Sequence, residues 1–145
     1  MSASPDDAAA TGGTAEAGEK AAEILEQAAE LLAECTEAGR LTRARKLVDK
    51  VTFAVADDEL IIAAVANYNV VVDVTERRIQ HGCRDFRGQA SERRLCKHVA
   101  ATLLAVEPRL ALAVARELAE GARAPASGVV VPWRFEAITR FTPGG

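Results

Sequence analysis

Two hydrophobic periods divide the chain. Between Glu19 and Ala38, Ile24, Ala28, Leu31, Leu32 and Cys35 recur at helical spacing. Glu23, Glu26, Glu30, Glu34 and Glu37 fall largely on the other faces, which predicts an amphipathic helix with Gly39 as the residue just past its end. The stretch before it, 1–18, is Ala, Ser, Gly, Thr and Asp with almost no large apolar side chain, and is expected to be a disordered tail. Leu41 to Lys50 sets Arg43, Arg45, Lys46 and Lys50 around Leu41, Leu47 and Val48 and reads as a short second helix leading into a strand. Its basic face suits either plain solvation or contact with phosphate.

The period then changes to two. Val51, Phe53 and Val55 alternate with Thr52 and Ala54; Leu60 to Ala66 is a nearly continuous apolar run; Tyr68, Val70, Val72 and Val74 alternate with Asn69, Val71 and Asp73. Short polar turns at Asp57-Asp58-Glu59, Asn67 and Glu76-Arg77 separate these runs, and Arg78 to His81 forms a last short strand, so the pattern predicts an antiparallel meander. Helical spacing returns in Leu95 to Val106, with Val99, Leu103 and Val106 inward, and ends at Glu107-Pro108. Pro108 opens a further helix striped by Leu110, Val114 and Leu118 and closed at Gly121. A loose linker, 122–128, comes next; Val129 to Val131 is a candidate strand, and Trp133, Arg134, Phe135, Ile138 and Phe141 form a terminal cluster. The expected fold is α+β: N-terminal helices, a small antiparallel meander, and C-terminal helices. Its segments are a tail (1–18), an N-terminal helical part (19–50), the meander together with the His81–His98 stretch and the helices after it (51–121), and a C-terminal extension (122–145).

Length and composition fit one domain with a modest core, since Ala supplies much of the apolar fraction and aromatics are few. No apolar run reaches the length of a membrane span, and no basic-then-apolar leader opens the chain, so a cytoplasmic protein without membrane contact is expected.

The chemistry lies between the last strand and the next helix. His81-Gly82-Cys83 and Cys96-Lys97-His98 are two pairs of metal-binding residue types, each split by one residue, with twelve residues between the pairs. Both His of the chain and two of its three Cys are here. Two thiolates and two imidazoles make a closed tetrahedral set for one structural Zn²⁺. Cys83 and Cys96 could instead be core residues or a disulfide, but neither alternative accounts for a His two positions from each Cys. Residues i and i+2 of a strand share a face, so His81 and Cys83 can address one ion. Cys96 must stand before the first regular helical turn, because residues two apart do not share a helix face. The third cysteine, Cys35, sits on the apolar stripe of the first helix and reads as core.

The stretch from Tyr68 to Val106 resembles a SWIM zinc finger: Cys-x-Cys, a variable gap, then Cys-x-His opening an Ala- and Leu-rich helix. Cys83-Arg84-Asp85-Phe86 matches the Asp-Phe that often comes after the family's second Cys, and Cys96-Lys97-His98-Val99-Ala100-Ala101 matches its second half. His81 stands where the family has its first Cys. The resemblance implies one zinc held by His81, Cys83, Cys96 and His98, and a role in DNA and protein binding. Small archaeal and eukaryotic members of this kind resemble partners of RecA-like recombinase paralogues in homologous recombination and DNA repair.

Charge sharpens this picture. The chain is net −3, and residues 1–40 hold nine acidic and two basic residues. Residues 76–98 hold seven basic and three acidic ones, a basic island in an acidic protein. Arg84, Arg87, Arg93, Arg94 and Lys97 are the candidate nucleic-acid contacts; without a base-reading helix they would meet phosphates of single- or double-stranded DNA with little sequence preference. The alternative is an interaction adaptor with a purely structural zinc and no nucleic-acid contact, for which Trp133-Arg134-Phe135 could anchor a protein partner. Catalysis is not expected. Four protein ligands fill a zinc shell, and no phosphate-binding loop, dinucleotide Gly motif or nucleophile elbow is present.

Overall fold

The computed structural model describes residues 6–123 and 133–138, of which 6–17 and 123 by backbone alone. Five α-helices, one 3-10 turn and five strands run in the order α1 (Asp6–Leu32), α2 (Ala38–Leu47), the 3-10 turn Val48–Lys50, β1 (Val51–Ala56), β2 (Leu60–Val65), β3 (Tyr68–Asp73), β4 (Arg78–His81), α3 (Arg84–Ala90), α4 (Lys97–Ala105), α5 (Pro108–Arg123) and β5 (Arg134–Ala137). The α+β class, the N-terminal helices, the meander and the C-terminal helix are as the periodicity predicts.

The sheet runs β1-β2-β3-β4-β5, antiparallel through β4, with β5 added parallel to β4 at the edge. Alternation sets which face is inward: Ile61, Ala63 and Val65 of β2, Val70 and Val72 of β3, and Ile79 and His81 of β4 are buried, while their neighbours are half-buried. Val65 pairs with Tyr68, so β2 and β3 are joined by only Ala66 and Asn67, and Ala66 takes φ 57, a left-handed conformation that β-hairpins of this length require. α4 packs on the inner face against β1, β2 and β3; α2 lies along α4, and α1 along α5. One apolar core therefore runs from Leu32 and Ala44 through Ile61, Val72 and Ile79 to Leu103, Val114 and Trp133.

Several elements depart from the periodicity. α1 begins at Asp6, inside the stretch read as tail, where frequent Ala residues favour helix. It stops at Leu32, not at Ala38. The reason is tertiary: the carbonyl of Cys35 turns out of the helix to accept a hydrogen bond from the Leu95 amide at 2.8 Å. Gly39 consequently lies within α2, near its start, rather than closing α1. α5 continues past Gly121 to Arg123. The twelve residues between the two ligand pairs, which carry no periodic stripe, contain α3. The candidate strand Val129–Val131, and Phe141 of the terminal cluster, lie outside the described residues. The strand that is seen, β5, is fixed at both ends to β4, by Arg134 N–H to Arg77 O (2.8 Å) and Ile138 N–H to His81 O (2.9 Å). No helix among the described residues is long and apolar enough to cross a membrane.

Candidate metal centre

The site is assembled from His81 at the end of β4, Cys83 at the entrance of α3, and Cys96 and His98 at the start of α4. β4 ends at His81, so Cys83 meets the site from a helix cap rather than from the strand face expected for the pair. His81 is fully buried, and its Nδ1 lies 2.7 Å from the backbone oxygen of Asn69 on β3. That oxygen can only accept, so Nδ1 carries the proton and Nε2 is left with a free lone pair facing inward. The chain leaves β4 at Gly82, whose position is set by close approach: a Cβ there would lie 2.6 Å from the carbonyl oxygen of Ile138, the residue just after β5.

Cys83 then serves as the N-cap of α3, its Sγ accepting from the Phe86 amide at 3.3 Å. The Asp-Phe pair of the motif acquires two distinct roles. Asp85 takes a bidentate bond from Arg40 of α2 at 2.7 and 2.8 Å, and Arg40 also meets Glu37 at 3.0 Å. Phe86 is fully buried, edge-on to the His81 ring at 5.4 Å and stacked on Phe135 of β5 at 6.2 Å.

α3 ends in a Schellman arrangement. Arg94 N–H bonds Gln89 O and Arg93 N–H bonds Ala90 O, both at 3.0 Å, with Arg93 at φ 56 in the position that usually favours Gly. Leu95, fully buried, is tied to the α1–α2 turn through the Cys35 carbonyl. Cys96 is the N-cap of α4 in extended conformation, and His98 lies in the first turn, as the two-residue spacing requires. Tyr68, at the start of β3 and 43% exposed, lies over the site from the solvent side, with its ring centre 4.8 Å from that of His98.

The four ligand atoms lie within 4.8 Å of one another, and all four residues are buried. The separation of His81 Nε2 and His98 Nδ1, 3.3 Å, tests the fit to an ion. Two nitrogens about 2.0–2.1 Å from one Zn²⁺, at the tetrahedral angle, are about 3.3–3.4 Å apart. The cysteines are free thiols, not a disulfide. The Cys96 side chain, hydrogen-bonding to Cys83, holds the Cys83 thiol far below the usual thiol range, helped by the two imidazoles and the Phe86 amide. Burial, then the neighbouring Cys83, pushes Cys96 up. Two buried sulfurs held in contact beside two imidazoles are a donor set that a divalent cation would complete, displacing the thiol protons. With both thiolates bound, the charge of Zn²⁺ is cancelled inside the core.

No family model matches the chain, and comparisons with curated proteins and with solved structures find no match. The geometry of the site therefore carries its assignment. The exchange of His81 is the sharpest probe. His81→Cys is expected to retain the metal; His81→Ala should lose it to a competing chelator much faster, because three ligands remain. Equal zinc retention in wild type and both variants, read by metal content after dialysis, would remove His81 from the ligand set.

Cys35 lies outside the cluster, 3% exposed in the turn after α1. Burial pushes its thiol up to about 11 from an ordinary 9.0. The folded state thus keeps this proton where the unfolded chain releases it, so stability falls as pH rises from about 9 towards 11. Thermal melts across that window should show a shallower pH slope for Cys35→Ala than for wild type; equal slopes would place the Cys35 thiol in a solvated environment.

The structure separates the basic island. Arg77 pairs with Glu117 (3.4 Å) and Arg78 with Asp73 (3.5 Å). Of the candidate contacts, Arg84, Arg87 and Arg93 are exposed, while Arg94 and Lys97 are half-buried. Arg93 and Arg94 line one open pocket with Glu34 and Glu92, so their potential is partly offset there. Trp133 is 2% exposed and Phe135 half-buried against Phe86; they close the protein's own core. Sequence reasoning did not find Arg40, Asn69 or Tyr68. Asn69 acts through its backbone, which leaves no side-chain signal; Arg40 and Tyr68 are recognisable only once the strands and α2 are placed around the ligands.

Proposed function

We propose that the His81–Cys83–Cys96–His98 cluster holds one structural Zn²⁺ and that the chain is a non-catalytic accessory module of the SWIM kind. The observation that carries this reading is the convergence of four buried donors, from the end of β4 and the entrances of α3 and α4, within 4.8 Å of one another, with the two imidazole nitrogens 3.3 Å apart. Four protein ligands leave no position for a reacting water, which argues against a zinc enzyme. The module would act by contact, through DNA, through a RecA-like recombinase paralogue in recombination and repair, or through both. The recombinase and the repair setting rest on the resemblance of His-x-Cys-x-Asp-Phe and Cys-x-His to the family pattern. Direct DNA contact rests on the exposure of Arg84 and Arg87 beside the metal, where no carboxylate among the described residues pairs with them.

Fluorescence anisotropy with short single- and double-stranded DNA at several salt concentrations tests the DNA reading. Each phosphate contact adds about 0.9 to the log–log salt slope for duplex and about 0.7 for single strands. Replacing Arg84, Arg87, Arg93 and Arg94 with Gln is expected to preserve zinc and make the slope shallower by about three units. No binding to either form at low salt would leave the adaptor reading, in which a recombinase-like partner, captured from native extract, is lost when the zinc ligands are changed.

A further inference from the structure

The second helix carries a basic face that the metal module alone does not explain. Within 38–50 the chain has Arg40, Arg43, Arg45, Lys46 and Lys50 against a single acidic residue, Asp49. The structure assigns these cations to different tasks. Arg40 reaches across to Asp85 in the first turn of α3. Arg45 reaches the other way, to Glu26 of α1, at 2.9 Å. Leu41 and Ala44 are buried against the core. Arg43 and Lys46 remain exposed, and no carboxylate among the described residues pairs with either. Lys50, at the end of the 3-10 turn, is exposed as well.

Helical geometry sets Arg43 and Lys46 on the solvent-facing side of α2, opposite the buried Leu41 and Ala44. At 3.6 residues per turn, Arg43 is about 60° from Arg40 and Lys46 about 60° beyond it, whereas Arg45 is about 160° from Arg43. Arg43 therefore lies on the flank of Arg40, while Lys46, about 120° from Arg40 and about 100° from Arg45, faces solvent opposite the buried Leu41 and Ala44. α3 in turn exposes Arg84 and Arg87, one turn apart, on either side of the Asp85–Phe86 pair that is turned inward to Arg40 and the core. The Arg40–Asp85 bond is thus the joint between two short helices that each expose cations at one-turn intervals.

We propose that α2 and α3 form one continuous cationic surface, in which Arg43 and Lys46 extend Arg84 and Arg87, and that it takes the phosphodiester backbone of DNA. Cations at one-turn intervals, about 5–6 Å apart at their Cβ atoms, suit a linear polyanion with regularly repeated charge. This rests on the DNA reading above and adds to it a surface outside the zinc module. α2 then contributes directly to binding as well as to the core.

The test is the salt dependence of DNA binding by the full chain, with three double variants: Arg43→Gln with Lys46→Gln on α2, Arg84→Gln with Arg87→Gln on α3, and Arg109→Gln with Arg116→Gln on α5. The last removes the same charge from exposed positions on a helix that packs along α1. Zinc content and melting temperature confirm that each variant is folded. The proposal expects the α2 and α3 variants each to make the duplex slope shallower by about two units, and the α5 variant to leave it unchanged. A wild-type slope in the α2 variant, with a shallower one in the α3 variant, overturns the extension and leaves the DNA reading standing. Equal losses in all three variants overturn it too, since only net charge would then matter. No binding by wild type to either strand form overturns both.

Discussion

Stripping the metal with a strong chelator is expected to unfold the centre of this protein. Zinc in small structural sites contributes about 10–16 kcal/mol at neutral pH, as much as or more than the whole stability of an ordinary domain, about 5–15 kcal/mol. Without the ion, His81, Cys83, Cys96 and His98 are four polar groups packed in the core, tied to the backbone chiefly by His81 Nδ1 at Asn69 O and by the Phe86 amide at Cys83 Sγ. Residues 78–100 should lose amide protection first. The effect should then reach the α1–α2 turn, because that turn is held to both halves of the site, by Cys35 O to Leu95 N–H and by Arg40 to Asp85. The long contact between α1 and α5 touches no ligand and should outlast it. Hydrogen exchange with and without chelator reads this order directly. Identical exchange and identical melting in both conditions would mean that no metal supports the fold.

Phe86→Ala should be the most damaging single substitution outside the ligands. Phe86 is fully buried and is the largest such side chain among the described residues. It supports the His81 ring from one side and Phe135 from the other, so its loss leaves a cavity where β4, α3 and β5 meet. Truncations of this kind cost about 3–5 kcal/mol, or roughly 10 °C in melting temperature for a domain of this size. Zinc retention should weaken as well, because the ring fixes the orientation of His81. Phe86→Leu, which refills most of the volume, should recover much of the stability. A Phe86→Ala protein that melts like wild type would show that this packing is not formed.

Much of this fold was legible because it is local. Period-two alternation in Val51–Val55 and Tyr68–Val74 marked strands, and burial alternates along both, with Tyr68 at the start of β3 exposed where the pattern would turn it inward. Pro108 marked the start of α5 because proline tolerates the first turn of a helix and disfavours helix before it. The two ligand pairs were legible from residue type and the one-residue spacing, and the helix-entrance reading holds for Cys96 and His98; the strand reading of the first pair does not, because β4 ends at His81 and Cys83 caps α3. What was not legible depends on distant partners. α1 ends at Leu32, short of the predicted Ala38, because a carbonyl at Cys35 answers an amide at Leu95. α3 is seven residues long, capped by a cysteine sulfur, and carries no periodic stripe. β5 is four residues long and pairs in parallel with β4, a strand far earlier in the chain, so nothing near it announces the pairing. Gly82 could be read from sequence as a tight turn; only the fold shows that the backbone of Ile138 fills the space a side chain would need.

The central claim is that one zinc ion is held by two imidazoles and two thiolates, and X-ray absorption at the zinc edge of protein purified without added metal tests it most directly. The account predicts one zinc per chain with two nitrogen neighbours at about 2.0–2.1 Å and two sulfur neighbours at about 2.3 Å. Protein without zinc, or zinc surrounded by nitrogen and oxygen with no sulfur, would contradict it.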